Sequence, residues 1–87
     1  MVEIDNRETF YAVVPFKRAR GGIAIGATVM AKGREDAVRL AERLASANLG
    51  AVAFSRTGDP EAAEFDEPVE LARYGQVPEN LAEMMAA

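Results

Sequence analysis

The sequence predicts an α+β domain in which one helix packs on one face of an antiparallel four-stranded sheet, with a short C-terminal helix added. Two observations lead to this class. Apolar residues recur at helical spacing after Arg34, and segments rich in β-branched and aromatic residues precede and follow that stretch. Because consecutive strands tend to pair through short connections, the order β-β-α-β-β predicts the spatial strand order 2-1-3-4. The 87 residues predict one domain, 1–87, with 1–8 as a flexible terminus.

The first predicted strand is 9–16 (TFYAVVPF). Alternation along a strand gives it two faces, one formed by Phe10, Ala12, Val14 and Phe16 and the other by Tyr11 and Val13. Pro15 has no N–H to donate, so we expect it near the end of the strand or at a sheet edge.

The second predicted strand is 23–31, in which Gly26 indicates a bulge. The segment between the first two strands, 17–22 (KRARGG), predicts a turn whose glycine pair supplies unusual backbone angles.

The helix is predicted from Arg34 to about residue 48, with Gly33 as its N-cap. One stripe of the helix is apolar and half alanine, formed by Ala37, Leu40, Ala41, Leu44 and Ala45. Small side chains let a helix lie close to a flat partner, so we expect it to pack on the sheet. Asn48 or Gly50 is expected to close it in the left-handed conformation. Leu44 and Phe54 are the predicted main anchors of the core.

The C-terminal half predicts a third strand at 51–55 and a turn at 58–60. The stretch 61–67 (EAAEFDE) is either an acidic loop or one helical turn. A fourth strand, 69–74, ends at Gly75, and the final short helix starts at 77–81.

Composition excludes several classes of chemistry. The chain has no cysteine and no histidine, which excludes disulfides, thiol nucleophiles, imidazole bases and Cys/His zinc sites. Alanine contributes 17 residues, so the large apolar side chains of the core are few. The acidic start MVEIDNRE is unlike a signal peptide, and the longest uncharged run, 21–31, is too short to span a bilayer. We therefore expect a soluble, cytoplasmic protein.

At VVPFKR, GAVAFSRTGDP and ELARYGQVP the chain resembles a group of short bacterial proteins of unknown function. The matching residues are Pro15 to Arg18, Gly50 to Pro60 and Leu71 to Pro78. The resemblance implies a self-contained domain and supplies no activity, ligand or site residue.

Two segments are candidates for binding a partner. Residues 9–34 carry Lys17, Arg18, Arg20, Lys32 and Arg34 without an acidic residue. The predicted turn would place the first three at a hairpin tip that contacts nucleic acid, or leave them simply solvated. Lys32 and Arg34 are expected at the opposite end of the hairpin. The second candidate is the sheet face that the helix leaves free, where we expect Tyr11 and Val13, with Met84 and Met85 covering it or docking on another chain.

Residues 57–87 hold eight acidic residues against one basic residue, Arg73. This asymmetry is typical of intramolecular charge balance and solubility, and the alternative is that it steers self-association or recruits a basic partner. No catalytic, metal or cofactor site is predicted, because the acidic spacing matches no calcium loop and Ser55 has no activating base nearby. Arg56 and Asp59 are expected to form an ion pair. The predicted function is a non-enzymatic protein-interaction module, which acts through the sheet face or the C-terminal helix and is either homodimeric or bound to another protein. The alternative is a small nucleic-acid-binding protein that uses Lys17 to Arg20.

Overall fold

The computed structural model describes residues 7–79, which form six strands and one helix. The elements in chain order are β1 (Glu8–Ala19), β2 (Gly22–Ile25), β3 (Val29–Ala31), α1 (Arg34–Ala47), β4 (Gly50–Asp59), β5 (Glu64–Phe65) and β6 (Val69–Gly75). No helix in the described range combines the length and apolar character that a membrane span requires.

The sheet is antiparallel throughout, with β1 and β4 at its centre. These two strands pair from Glu8 opposite Gly58 to Phe16 opposite Gly50. β2 and β3 pair with the free side of β1, and β5 and β6 pair with the free side of β4. The predicted α+β class, with one helix on an antiparallel sheet, is therefore confirmed.

The predicted strand number and order are wrong. The sheet has six strands in the order β2-β1-β4-β5, with β3 beside β1 and β6 beside β4. The two extra strands arise because the predicted second strand is broken and because part of 61–67 is extended. The predicted C-terminal helix is not supported, since Val77 and Pro78 have no regular structure and residues from 80 onward lie outside the described range.

The break in the predicted second strand is a bulge at Gly26. Phe16 pairs with Ile25 and Val13 with Val29, so three residues, 26–28, lie opposite only two on β1. An extra residue on one strand defines a β-bulge. The bulge that the sequence predicts at Gly26 is confirmed, and it divides the strand into β2 and β3.

Pro15 lies in the middle of the sheet, which corrects the prediction that it belongs at an end or an edge. It is buried and pairs with Ala51 on one side, while its carbonyl accepts a hydrogen bond from Gly26 N–H on the other. The N–H and C=O of a strand residue point to the same neighbour. The donor that Pro15 lacks would therefore face the bulge, where the regular ladder is already interrupted.

The helix packs closely on the sheet through its alanines. Ala37 and Ala41 are both fully buried against Val13, Ala51 and Ala53. Leu44 and Phe54 are only half-buried, so the prediction that they are the main anchors is wrong. The small side chains sit nearest the sheet, and the larger ones lie at the margins of the contact.

The two ends of α1 differ in how far they match the prediction. Gly33 is the N-cap as predicted. Asn48 ends the helix in an extended conformation, φ −134°, so the predicted left-handed closure is wrong. Its side-chain Nδ2 instead donates to the carbonyl of Leu44 over 2.8 Å, which satisfies an acceptor that the helix end leaves open.

A second apolar cluster lies on the face opposite the helix. Phe16 and Val52 are fully buried there and Val14 nearly so, with Phe54 and Val77 packed against them. The prediction that Tyr11 and Val13 occupy the helix-free face is wrong, because Val13 is fully buried in the helix-side cluster and Tyr11 packs on it. Alternation along the strand divided the β1 residues between the two sheet faces correctly, but the helix covers the face that carries Tyr11 and Val13.

The stretch 61–67 is neither of the two predicted alternatives alone. A turn is followed by β5, and Asp59 Oδ1 accepts hydrogen bonds from the N–H groups of Glu61 and Ala62. Ala63 adopts a positive φ of 55°, the only described residue other than glycine that does so. The turn returns the chain alongside the end of β4.

Candidate functional site

The hairpin of β1 and β2 extends beyond the rest of the sheet. β4 begins at Gly50, opposite Phe16, so the three following residues of β1 pair only with β2. Residues 17–24 therefore form a two-stranded projection, which we call the arm. Arg20 and Gly21 form its two-residue turn, in which Gly21 has a φ of 84° that glycine adopts without strain.

The predicted turn at 17–22 is correspondingly too long. Lys17 pairs with Ala24 and Arg18 with Ile23, so both cations lie on strands. Paired residues share a face and successive residues alternate, which places Arg18 and Ile23 on the helix-free side and Lys17 on the other. Lys17, Arg18 and Arg20 are all exposed. None of the three makes an ion pair or side-chain hydrogen bond within 7–79.

Negative charge is concentrated at the opposite end of the sheet. Glu8 lies opposite Gly58, and the neighbouring Asp59 pairs with Glu64. Glu8 and Ala19 are the two ends of the twelve-residue β1, and the steps between them span about 36 Å at ~3.3 Å per residue. Tyr11 opposite Ala31 places the start of the Lys32–Arg34 segment toward the acidic end, which confirms that these two cations lie away from the tip.

The outer edge formed by β2 and β3 is uncharged and apolar. No residue of 21–31 is charged and none is proline. The exposed fractions are 38% for Ile23, 45% for Ile25, 38% for Val29 and 61% for Met30. Ile23, Ile25 and Met30 lie opposite Arg18, Phe16 and Ala12, so all three share the helix-free face. No described strand pairs with the outer side of this edge.

The acidic end is held together by two arginines. Arg7 forms an ion pair with Asp66. Arg56 Nε donates to the main-chain oxygen of Asp66 over 3.1 Å, and its guanidinium lies 5.5 Å from the centre of the Phe65 ring. The predicted ion pair between Arg56 and Asp59 is wrong, because Asp59 caps the turn instead. These contacts secure β5 against β4.

Arg73 is paired on β6. Its guanidinium donates to both carboxylate oxygens of Glu70, and this hydrogen bonding, together with the charge of Glu70, raises the pKa of Arg73 above its ordinary value. Since both side chains are exposed, the pair is a local surface contact.

The structure thus rearranges the predicted binding residues. Lys17, Arg18 and Arg20 are brought together on the arm, Tyr11 and Val13 lie beneath the helix, and Met84 and Met85 lie outside the described range. Sequence reasoning missed Ile25 and Met30 as exposed residues. The sequence signal for their exposure was that both lie in the uncharged run 21–31, which Gly26 interrupts. Within 7–79, no three acidic side chains are grouped so that they would hold a metal ion.

The resemblance to short bacterial proteins stays a prediction. Comparison of the chain with protein-family models, with curated proteins and with solved structures gave no match.

Proposed function

We propose that the protein is a non-enzymatic protein-interaction module whose partner adds a strand to the outer edge of β2 and β3. The observation that supports this is the absence of charge and proline along 21–31, at an edge whose outer side pairs with no strand within 7–79. Proteins protect open edges with lysine, proline, a covering segment, short strands or bulges, since unpaired N–H and C=O groups invite another strand; this edge has short strands and a bulge but neither lysine nor proline. Here the bulge at 26–28 interrupts the edge, and four exposed apolar side chains accompany it.

A second copy of the chain is the partner that we propose. Two copies can align 21–31 antiparallel without placing like charges opposite each other within the run. Main-chain hydrogen bonds would supply affinity, and burial of Ile25 and Met30 would add about 25 cal/mol per Å² of apolar surface covered. Strand addition of this kind uses the edge as folded and needs no rearrangement of the core.

Sedimentation velocity at micromolar protein tests the proposal. The wild-type protein is expected to sediment as a dimer, and Ile25→Lys is expected to sediment as a monomer, because a lysine at the edge disfavours strand addition. Ile25 is half-exposed, so the monomer fold tolerates the substitution. Val69→Lys is the matched control, since Val69 is 59% exposed on β6 at the opposite edge. A monomeric wild type, or equal loss of dimer in both variants, would contradict the proposal.

A further inference from the structure

We infer that the arm is a second binding site, which takes duplex DNA, with Lys17, Arg18 and Arg20 contacting phosphates along the major groove. This goes beyond the proposed strand addition, because it uses both strands of the hairpin tip in a single copy. The two sites share residues 22–24 of β2, so an added strand and a DNA groove are alternative occupants of the arm.

The dimensions of the arm match the groove. Three residues of β1 continue past Phe16, which gives a projection of about 10 Å at ~3.3 Å per residue before the turn is added. Paired strands lie ~4.8 Å apart. The major groove of B-DNA is about 12 Å wide and about 8.5 Å deep, and it admits a two-stranded ribbon. The arm therefore reaches the floor of the groove before the body of the sheet meets the phosphates.

The local charge of the arm is positive although the chain carries −4. The Debye length at physiological salt is about 8 Å, so charges at the far end of the sheet, about 36 Å away along β1, are screened from the tip. No acidic residue occurs in 9–34. The acidic residues at the far end of the sheet therefore do not oppose the approach of a polyanion to the arm.

The three cations of the arm are available for a ligand. Arg7, Arg39 and Arg73 already pair with carboxylates, and Arg56 donates to a main-chain oxygen. By contrast, the side chains of Lys17, Arg18 and Arg20 have no such partner within the described range. A two-stranded ribbon also holds Lys17 and Arg18 on opposite faces, so that they point toward the two phosphate walls of a groove.

The expected binding is weak and depends mainly on phosphate contacts. Ile23 is the exposed apolar side chain of the arm, suited to contact with a thymine methyl group. Sequence discrimination by so few base contacts is small, and non-specific affinities of about 10⁻⁴ to 10⁻⁶ M are typical.

Fluorescence anisotropy with a labelled duplex of mixed sequence tests the inference. Three phosphate contacts predict a slope of log K against log salt of about −2.7, which is roughly a 40-fold loss of affinity between about 50 mM and 200 mM salt. The variant Lys17→Ala/Arg18→Ala/Arg20→Ala is expected to lose at least about tenfold in affinity at the lower salt and most of the slope. Arg20→Ala, which changes only a turn residue, is expected to reduce the magnitude of the slope by about 0.9.

The matched control is Lys32→Ala/Arg34→Ala/Arg43→Ala, which changes the net charge equally and leaves the arm intact. It is expected to bind as the wild type does. Equal losses in the two triple variants, no binding by the wild type at the lower salt, or equal affinity for a single strand of the same length would each overturn the inference. If the arm triple variant does not fold, as judged by circular dichroism, an unchanged slope for Arg20→Ala overturns it instead. Ile25→Lys separates this site from the dimer edge, because it is expected to abolish the dimer without reducing the slope.

Discussion

The main-chain N–H of Gly26 donates a hydrogen bond to the carbonyl oxygen of Pro15 over 2.8 Å. This bond joins the bulge to the one residue of β1 that cannot donate in return. The approach is so close that a Cβ on Gly26 would lie 2.9 Å from Pro15 Cγ and 3.1 Å from Lys17 Cε. The close approach therefore favours glycine at position 26, and the bulge tolerates a proline at position 15 because the ladder is already interrupted there.

Gly26→Ala is expected to destabilise the protein by about 1–3 kcal/mol, because a methyl group must displace the ring of the buried Pro15. Urea denaturation followed by circular dichroism measures the free energy of unfolding. Unchanged stability would mean that the proline ring moves aside without cost.

Gly33→Ser is expected to stabilise the protein, in contrast to Gly26→Ala. No heavy atom lies within 4 Å of a Cβ on Gly33, and its φ of −171° is extended backbone that any residue adopts. A serine there can accept a hydrogen bond at the helix N-terminus and also restricts the unfolded chain, so we expect a gain of about 0.5–1 kcal/mol. The same denaturation measurement checks it, and a loss of stability would contradict the assigned N-cap.

Ala41→Leu is expected to destabilise more than Leu44→Ala. Ala41 is fully buried between the helix and the sheet, so a leucine must push the two layers apart at a cost of about 1–3 kcal/mol or more. Leu44 is half-buried, so its truncation is expected to fall at or below the lower end of the usual ~2–5 kcal/mol. Thermal and urea unfolding of the two variants side by side decide the order, and the reverse order would contradict the close packing.

Asn48→Ala is expected to cost about 1 kcal/mol, because it removes the Nδ2 donor that satisfies the Leu44 carbonyl at the end of α1. Ser46→Ala is the control, since Ser46 is exposed and its hydroxyl bonds only within its own turn of the helix. Amide hydrogen exchange over the last turn of α1 is expected to accelerate only in the Asn48 variant. Equal acceleration in both would show that the cap is not the cause.

Ala63→Gly is expected to be more stable than Ala62→Gly by about 1 kcal/mol. Both changes loosen the unfolded chain equally, but only Ala63 holds a positive φ, which costs a residue with a Cβ about 1–2 kcal/mol. A comparison of the two melting temperatures measures the difference. Identical values would indicate that the turn relaxes without strain.

The parts of the fold that follow from local pattern were predictable. Arg34 to Ala47 is helical as its apolar spacing predicts, and the strand at 51–55 pairs with 9–16. The sheet face that the helix covers was predicted wrongly, because both sets of alternating residues on β1 are apolar. The small side chains of Ala51 and Ala53 held the missing signal, since only they leave room for an alanine-lined helix.

The sequence predicted the cations of the candidate site but not the projecting two-stranded arm that carries them. The cations Lys17, Arg18 and Arg20 were identified, yet their projection beyond the sheet depends on where β4 begins, which is a tertiary property. The exposure of Ile25 and Met30 likewise depends on the bulge that separates β2 from β3. The residue pattern predicts which residues lie on the same strand. The position at which β4 begins decides which of them extend beyond the sheet.

The alanine contact between α1 and the sheet also limits how this protein can change. Four alanines, Ala37, Ala41, Ala51 and Ala53, are fully buried in one cluster between the two layers. A bulkier residue on either layer is therefore expected to push the layers apart unless a smaller residue faces it. Substitutions across this seam should be tolerated in complementary pairs and rejected singly.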